Sequence, residues 1–183
     1  MRSSPFPSSC ACWSKLLGML EIEGAVVAID AMGGQRAIAP TILDRKADSI
    51  LALTGNQGSL KDDVKLFVDE QKAVGFTDAK ISRDKTIDGD HGRIETREVT
   101  VIHEVGWLQE RRDWPGLKSV VVVESAREVA GKVDREMRLY ITSLVLLAHQ
   151  IRPMIRDHWM IESAPQAHEQ GGSYELTDCA QAA

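Results

Sequence analysis

Two carboxylates, Asp30 and Glu162, stand 132 residues apart in this 183-residue chain, and each sits where a charge needs a reason. Asp30 closes the apolar run GAVVAI and precedes Ala31-Met32-Gly33-Gly34. In open α/β sheets the carboxyl ends of strands are where ligands and catalytic groups gather. The same aspartate could instead open that turn or cap a following helix. Glu162 shares a stripe with Ile151, Ile155 and His158, at i, i+4, i+7 and i+11, which a helix advancing about 100° per residue places on one face. A carboxylate turned inward on such a stripe is costly unless a cation or a metal meets it; at a helix end it can equally reach solvent. Taken together, the two supply oxygen ligands suited to a hard divalent cation.

Two further segments could meet an anion. TGNQGSLK (54–61) lies between a strand-like run and a helical one, where backbone N–H groups can cradle a phosphate. Gly55 and Gly58 are too close for a Walker loop, and Lys61 does not follow the second glycine directly, so a plain strand-to-helix turn competes with a nucleotide loop. HGRIETRE (91–98) puts Arg93, Glu95 and Arg97 on one face of a strand, where the arginines either grip phosphates or are neutralised by Glu95. Asp88-Gly89 just before it reads as a turn.

The elements that must position these residues alternate in type. GAVVAI, apolar on both faces, suits a buried parallel strand. Ile38, Ile42 and Leu43 are spaced for a helix around Pro40. DSILALTG is a second strand, and SLKDDVKLFVDEQKA an amphipathic helix burying Leu60, Val64, Phe67 and Val68. This strand–helix–strand–helix order implies a right-handed parallel unit. Segments 91–103, 117–128 and 133–144 then read as strands, the last two forming an antiparallel hairpin through Gly131, with Met137, Leu139 and Ile141 on one face. Leu16–Leu20 could make a helical turn, and helical spacing returns from Leu147.

Composition sets the outer bounds. Lys and Arg number 22 against 27 Asp and Glu, for a formal charge of −5, with 43% hydrophobic residues. This is ordinary globular composition and excludes a histone-like or tail-driven nucleic-acid binder. No apolar run is long enough for a membrane span, and no secretory signal is expected. Cys10, Cys12 and Cys179 form no CxxC pair, so neither structural zinc nor a disulfide framework is expected, and the thiols suit a reduced cytoplasmic setting.

GAVVAIDAMG, LALTGNQGSLKDDV, DGDHGRIETRE, WPGLKSVVVVES and IRDHWMIE, in that order between Leu16 and Glu162, resemble the DDE transposases of bacterial insertion sequences, in their H-repeat-associated branch. The resemblance implies an α/β fold: a partial RNase H-like core of parallel strands and helices carrying a β-rich antiparallel insertion. It divides the chain into a non-matching lead-in (1–15), core (16–58), insertion (59–143), the core helix with the glutamate (144–163) and a non-matching tail (164–183). It implies that Asp30 and Glu162 are catalytic and bind Mg2+ or Mn2+. It makes Asn56, Arg93 and Arg97 candidate DNA contacts, and gives His158 and Trp159 a part in shaping the site or meeting DNA. The partners implied are insertion-sequence ends, target DNA and a full-length transposase, with no membrane.

Departures from the family pattern bear on activity. The family's first aspartate belongs to an IDGK-like strand upstream of the position of Asp30. Thr54 stands where a lysine is usual, and SAPQAHEQ replaces the family's sequence after the glutamate. The expectation is therefore a copy truncated at both ends and inactive alone, whose GAVVAI strand lacks its usual neighbour and offers an unpaired edge to aggregation. Two other readings stay open: a non-catalytic fragment binding DNA or a full-length transposase, and a small α/β phosphate-binding protein using Gly55–Ser59.

Overall fold

The computed structural model describes residues 15–29, 36–54, 58–90, 93–129 and 131–163, with the side chains of Asp90, of Gln109 and from Asp157 onward outside that description. Residues 15–19 are helical (α1), followed by β1 (Val26–Ile29), α2 (Ile38–Asp44), β2 (Asp48–Ala52), α3 (Gly58–Ala73), β3 (Ile81–Asp90), β4 (Arg93–His103), α4 (Gly106–Arg112), β5 (Ser119–Val129), β6 (Lys132–Thr142) and α5 (Ala148–Ser163). The strands form one mixed sheet in the order β1-β2-β6-β5-β4-β3. β1 and β2 are parallel; every other pairing is antiparallel.

The alternation of side chains along the strands builds two cores. Ile29, Leu51, Ile102, Val120, Val122, Leu139 and Ile141 face α2, α3 and α4, whose Ile38, Ile42, Val64, Val68 and Leu108 are buried against them. Ile50, Val99, Val101, Val121, Val123 and Tyr140 face the other way, onto Ala148, Ile151 and Ile155 of α5. The valine run of β5 is thus apolar throughout because helices cover both of its faces. Phe67, expected inside, is partly buried and meets the Trp107 ring at 4.8 Å. Asp63 of α3 takes Arg112 at 2.5 Å and Arg111 at 3.4 Å, tying α4 to α3. Gly116 has φ +69, a conformation that favours glycine, and a Cβ there would lie 2.6 Å from Leu43 Cδ1, so the Leu43 side chain would have to shift as well.

Several sequence expectations change. Asp88-Gly89 is no turn: both residues belong to β3, opposite Glu95 and Ile94, and the chain reverses after Asp90. An Asp-Gly pair signals a turn only when the ladder does not extend through it, and here the long partner β4 carries the pairing to the end. β3 itself and α4 were not anticipated from periodicity, since β3 is charged rather than apolar along most of its length. β1 is less buried than its apolar run suggests: Val26 is 36% exposed, because β1 is an edge strand with β2 as its neighbour in the sheet. Pro40 falls in the first turn of α2, where no N–H is needed, and the helix tolerates it.

β3 to β6 outrun the helices that cover them. Val99–Ile102 and Ser119–Val123 are buried, while Arg93, Ile94, Arg127–Val129 and Lys132–Glu136 are exposed. Strands of 11 residues rise about 35 Å, so their far halves extend beyond the core as a charged antiparallel blade.

Candidate functional site

The two elements proposed to carry the carboxylates touch. α5 contacts β1 as well as β3 and β4, and Ala28 of β1 packs against the cluster that contains Ile151 and Ile155. Ile29, the last residue of β1, is buried on the opposite side. Asp30 and Asn56 lie outside the described residues, as do the side chains of His158, Trp159 and Glu162, although the backbone of those three is in α5. Among the described residues no group of three His, Cys, Asp or Glu side chains is placed to hold a metal ion.

The start of α5 is set by side chains from two directions. Gln150 Oε1 accepts the Leu147 N–H at 3.0 Å, and Ser82 Oγ, reaching from β3, accepts the Ala148 N–H at 3.0 Å. These satisfy donors that a helix N-terminus leaves without partners. Further along, Arg152 Nε lies 2.5 Å from Asp84 Oδ2 and Arg156 Nη1 lies 3.9 Å from Asp88 Oδ2. The register pairs Asp84 with Val99 and Asp88 with Glu95, which places both aspartates on the α5 face of the sheet. This acidic row was missed in the sequence, yet its signal is there: acids recur at even positions of ISRDKTID, and arginines recur four apart in IRPMIR. Pro153 sits on the exposed side of α5, away from these contacts.

Arg93 and Arg97 share one face with Glu95, as their spacing requires. Each guanidinium takes one Glu95 oxygen, at 2.6 Å in both cases. An arginine here reaches a phosphate only by sharing or releasing a charge-assisted bond.

His103 ends β4 with Nε2 3.3 Å from Ser82 Oγ. It borders an open cavity of about 490 Å³ also lined by Lys80, Lys118, Val145 and Leu147. Burial first, and the Lys80 charge second, hold its pKa below the ordinary 6.5, with Glu104 opposing. The unfolded chain therefore takes up more protons than the folded one between the lowered value and 6.5. The stability from neutral His103 is complete above about pH 6.5 and is lost as the pH falls through that window. Between about pH 7.5 and 5.5 the melting midpoint of the protein is expected to fall more than that of His103→Gln; parallel slopes would contradict this assignment.

Comparison with known proteins bears on the family directly. The chain is 35% identical over 153 residues to "Putative transposase YncI" of Escherichia coli O157:H7, covering 81% of this chain and 38% of that protein. It is 31% identical over 155 residues to "H repeat-associated putative transposase YhhI" of Escherichia coli K12, covering 81% and 40%. The chain is a homologue of these named transposases. This transposase homologue is also 44% identical over 131 residues to a Xanthobacter autotrophicus protein described as uncharacterized and located in the dhlA 3′ region, covering 70% and 42%. It spans about two-fifths of the length of the curated relatives it matches. No family model and no solved structure matches it. None of its described helices is long and apolar enough to cross a membrane.

Proposed function

We propose that this chain is part of an insertion-sequence transposase of the DDE type, holding Asp30 and Glu162 as two of the carboxylates that bind Mg2+ or Mn2+ for DNA cleavage and strand transfer. The observation that carries the reading is the identity to transposase-named relatives over 81% of the chain. Geometry supports it. Ala28, two positions before Asp30 in the sequence, packs on the side of the sheet that α5 covers, and α5 contacts β1. Ile151 and Ile155 face that side of the sheet, and Glu162 falls on their helical stripe.

A donor set of carboxylate oxygens fits a hard divalent cation. When bound, such ions activate a water or a 3′-hydroxyl and stabilise the leaving oxygen in phosphodiester chemistry. The protein's own part is to hold the two acids close by packing α5 on β1, and to offer Asn56, Arg93, Arg97, His158 and Trp159 to DNA. Phosphate contacts of this kind position a duplex without reading its sequence. DNA, both element ends and target, is the proposed partner.

Mn2+ titration of the purified chain is the direct test. Binding is expected, and Asp30→Asn or Glu162→Gln should each weaken it by at least about tenfold, since carboxylates that touch the ion set charge and geometry together. Mn2+ binding indifferent to both substitutions would overturn the metal assignment.

A further inference from the structure

We infer that Asp84 and Arg152, assisted by Asp88 and Arg156, are positioning residues that fix the rotation and axial register of α5 against the blade. The inference rests on the proposed metal site in one respect, namely that the end of α5 carries a metal-binding carboxylate. Three contacts follow one another along both elements. Ser82 accepts the Ala148 N–H at 3.0 Å, Asp84 pairs with Arg152 at 2.5 Å, and Asp88 meets Arg156 at 3.9 Å. On the helix these partners are spaced four residues apart, slightly more than one turn, so they form one row. On the strand they sit at even positions, on one face.

Hydrophobic packing alone leaves this register loose. Ile151 and Ile155 bury against a face made largely of valine and isoleucine, whose surface repeats from strand to strand. Such a surface resists undocking far better than it resists a small slide or roll of the helix, because burial is non-directional. An ion pair with both partners partly buried does resist such a slide, because its attraction falls as the two charges separate; the 2.5 Å contact of Arg152 Nε with Asp84 Oδ2 acts in this way, as charge proximity rather than as an aligned hydrogen bond. The side chains of Arg152 and Asp84 are 28% and 23% exposed, well below the 49% and 64% of Arg156 and Asp88. The inner pair is therefore the anchor and the outer pair the guide. A rotation of α5 by one residue would move Arg152 about 100° away from β3 and turn the Glu162 stripe off the sheet with it. β3 lies within residues 59–143, so the β-rich segment does more than present charges: it sets the pose of the helix that follows it.

The test has a metal-free arm and a metal arm. In amide hydrogen exchange of the full chain, Arg152→Gln is expected to accelerate exchange at residues 154–163 by at least about tenfold, and the exchanged pair Asp84→Arg with Arg152→Asp to restore most of the protection. Unchanged exchange, or a loss the exchanged pair does not restore, overturns the inference regardless of metal. In the Mn2+ titration Arg152→Gln should weaken binding by roughly tenfold, as loss of an orienting partner does. The exchanged pair should recover it, and Lys72→Gln, which breaks the Lys72–Glu124 pair at 2.7 Å on the other face, should leave it unchanged. If Mn2+ binding depends on Glu162 but not on Arg152, the positioning role is refuted while the metal reading stands. If Asp30→Asn and Glu162→Gln leave Mn2+ binding intact, the metal reading fails, and the exchange data alone judge the coupling of β3 to α5.

Discussion

Ile151→Ala is expected to lower stability by about 3 kcal/mol, within the range for large-to-small core substitutions, and the melting midpoint by roughly 6–12 °C. Ile151 is completely buried, and α5 is the described helix that covers the face formed by Ile50, Val99, Val101, Val121, Val123 and Tyr140. Truncation leaves a cavity between a helix and a β-branched surface that cannot collapse to fill it, because strand spacing is held by the ladder. The same change at Leu66 of α3, which is 60% exposed, should shift stability by less than about 0.5 kcal/mol. Thermal unfolding of the two variants decides the matter: comparable midpoints would mean that α5 is not docked on this face.

Val26→Lys should sharply reduce concentration-dependent association of the purified chain while leaving its melting midpoint nearly unchanged. The two edges of the sheet differ in kind. β3 carries Arg83, Asp84, Lys85 and Asp88, the sort of charged edge that discourages another strand from pairing. β1 reads VVAI, without a charge or a proline, and among the described residues β2 is its partner strand. Among the described residues no strand pairs with its outer edge, so its N–H and C=O groups there stand in an order that a second copy can match. Val26 is exposed enough to accept an ammonium group without burying it. Light scattering against concentration, for wild type and variant, is the measurement. Association that is identical in both would place the sticky surface elsewhere.

Much of the architecture was legible because burial is periodic. Leu60, Val64 and Val68 are buried on α3 as their helical spacing predicts, and Met137, Leu139 and Ile141 share one face of β6. The parallel pairing of β1 with β2 and the antiparallel hairpin of β5 with β6 also follow from local pattern and from Gly131, whose φ is +77. β3 was not legible, because a strand on an exposed blade is stabilised by its ladder to β4 rather than by apolar alternation. The Arg93–Glu95–Arg97 cluster was read correctly as one face, but which of two outcomes holds depended on rotamers: Glu95 receives both guanidinium groups.

By itself the sequence determined the mixed α/β character, the amphipathic faces of α3 and α5, and the kinship to transposases, since all three are written in residue identity and spacing along the chain. Only the tertiary structure decided that residues 59–143 continue the same sheet as β1 and β2, and that an acidic row on β3 grips arginines of a helix more than sixty residues later. Contacts of that kind depend on which strand lies beside which and which face it turns. A pattern with a period of two or 3.6 residues states how a segment divides its faces; the neighbour each face meets is chosen when the whole chain closes.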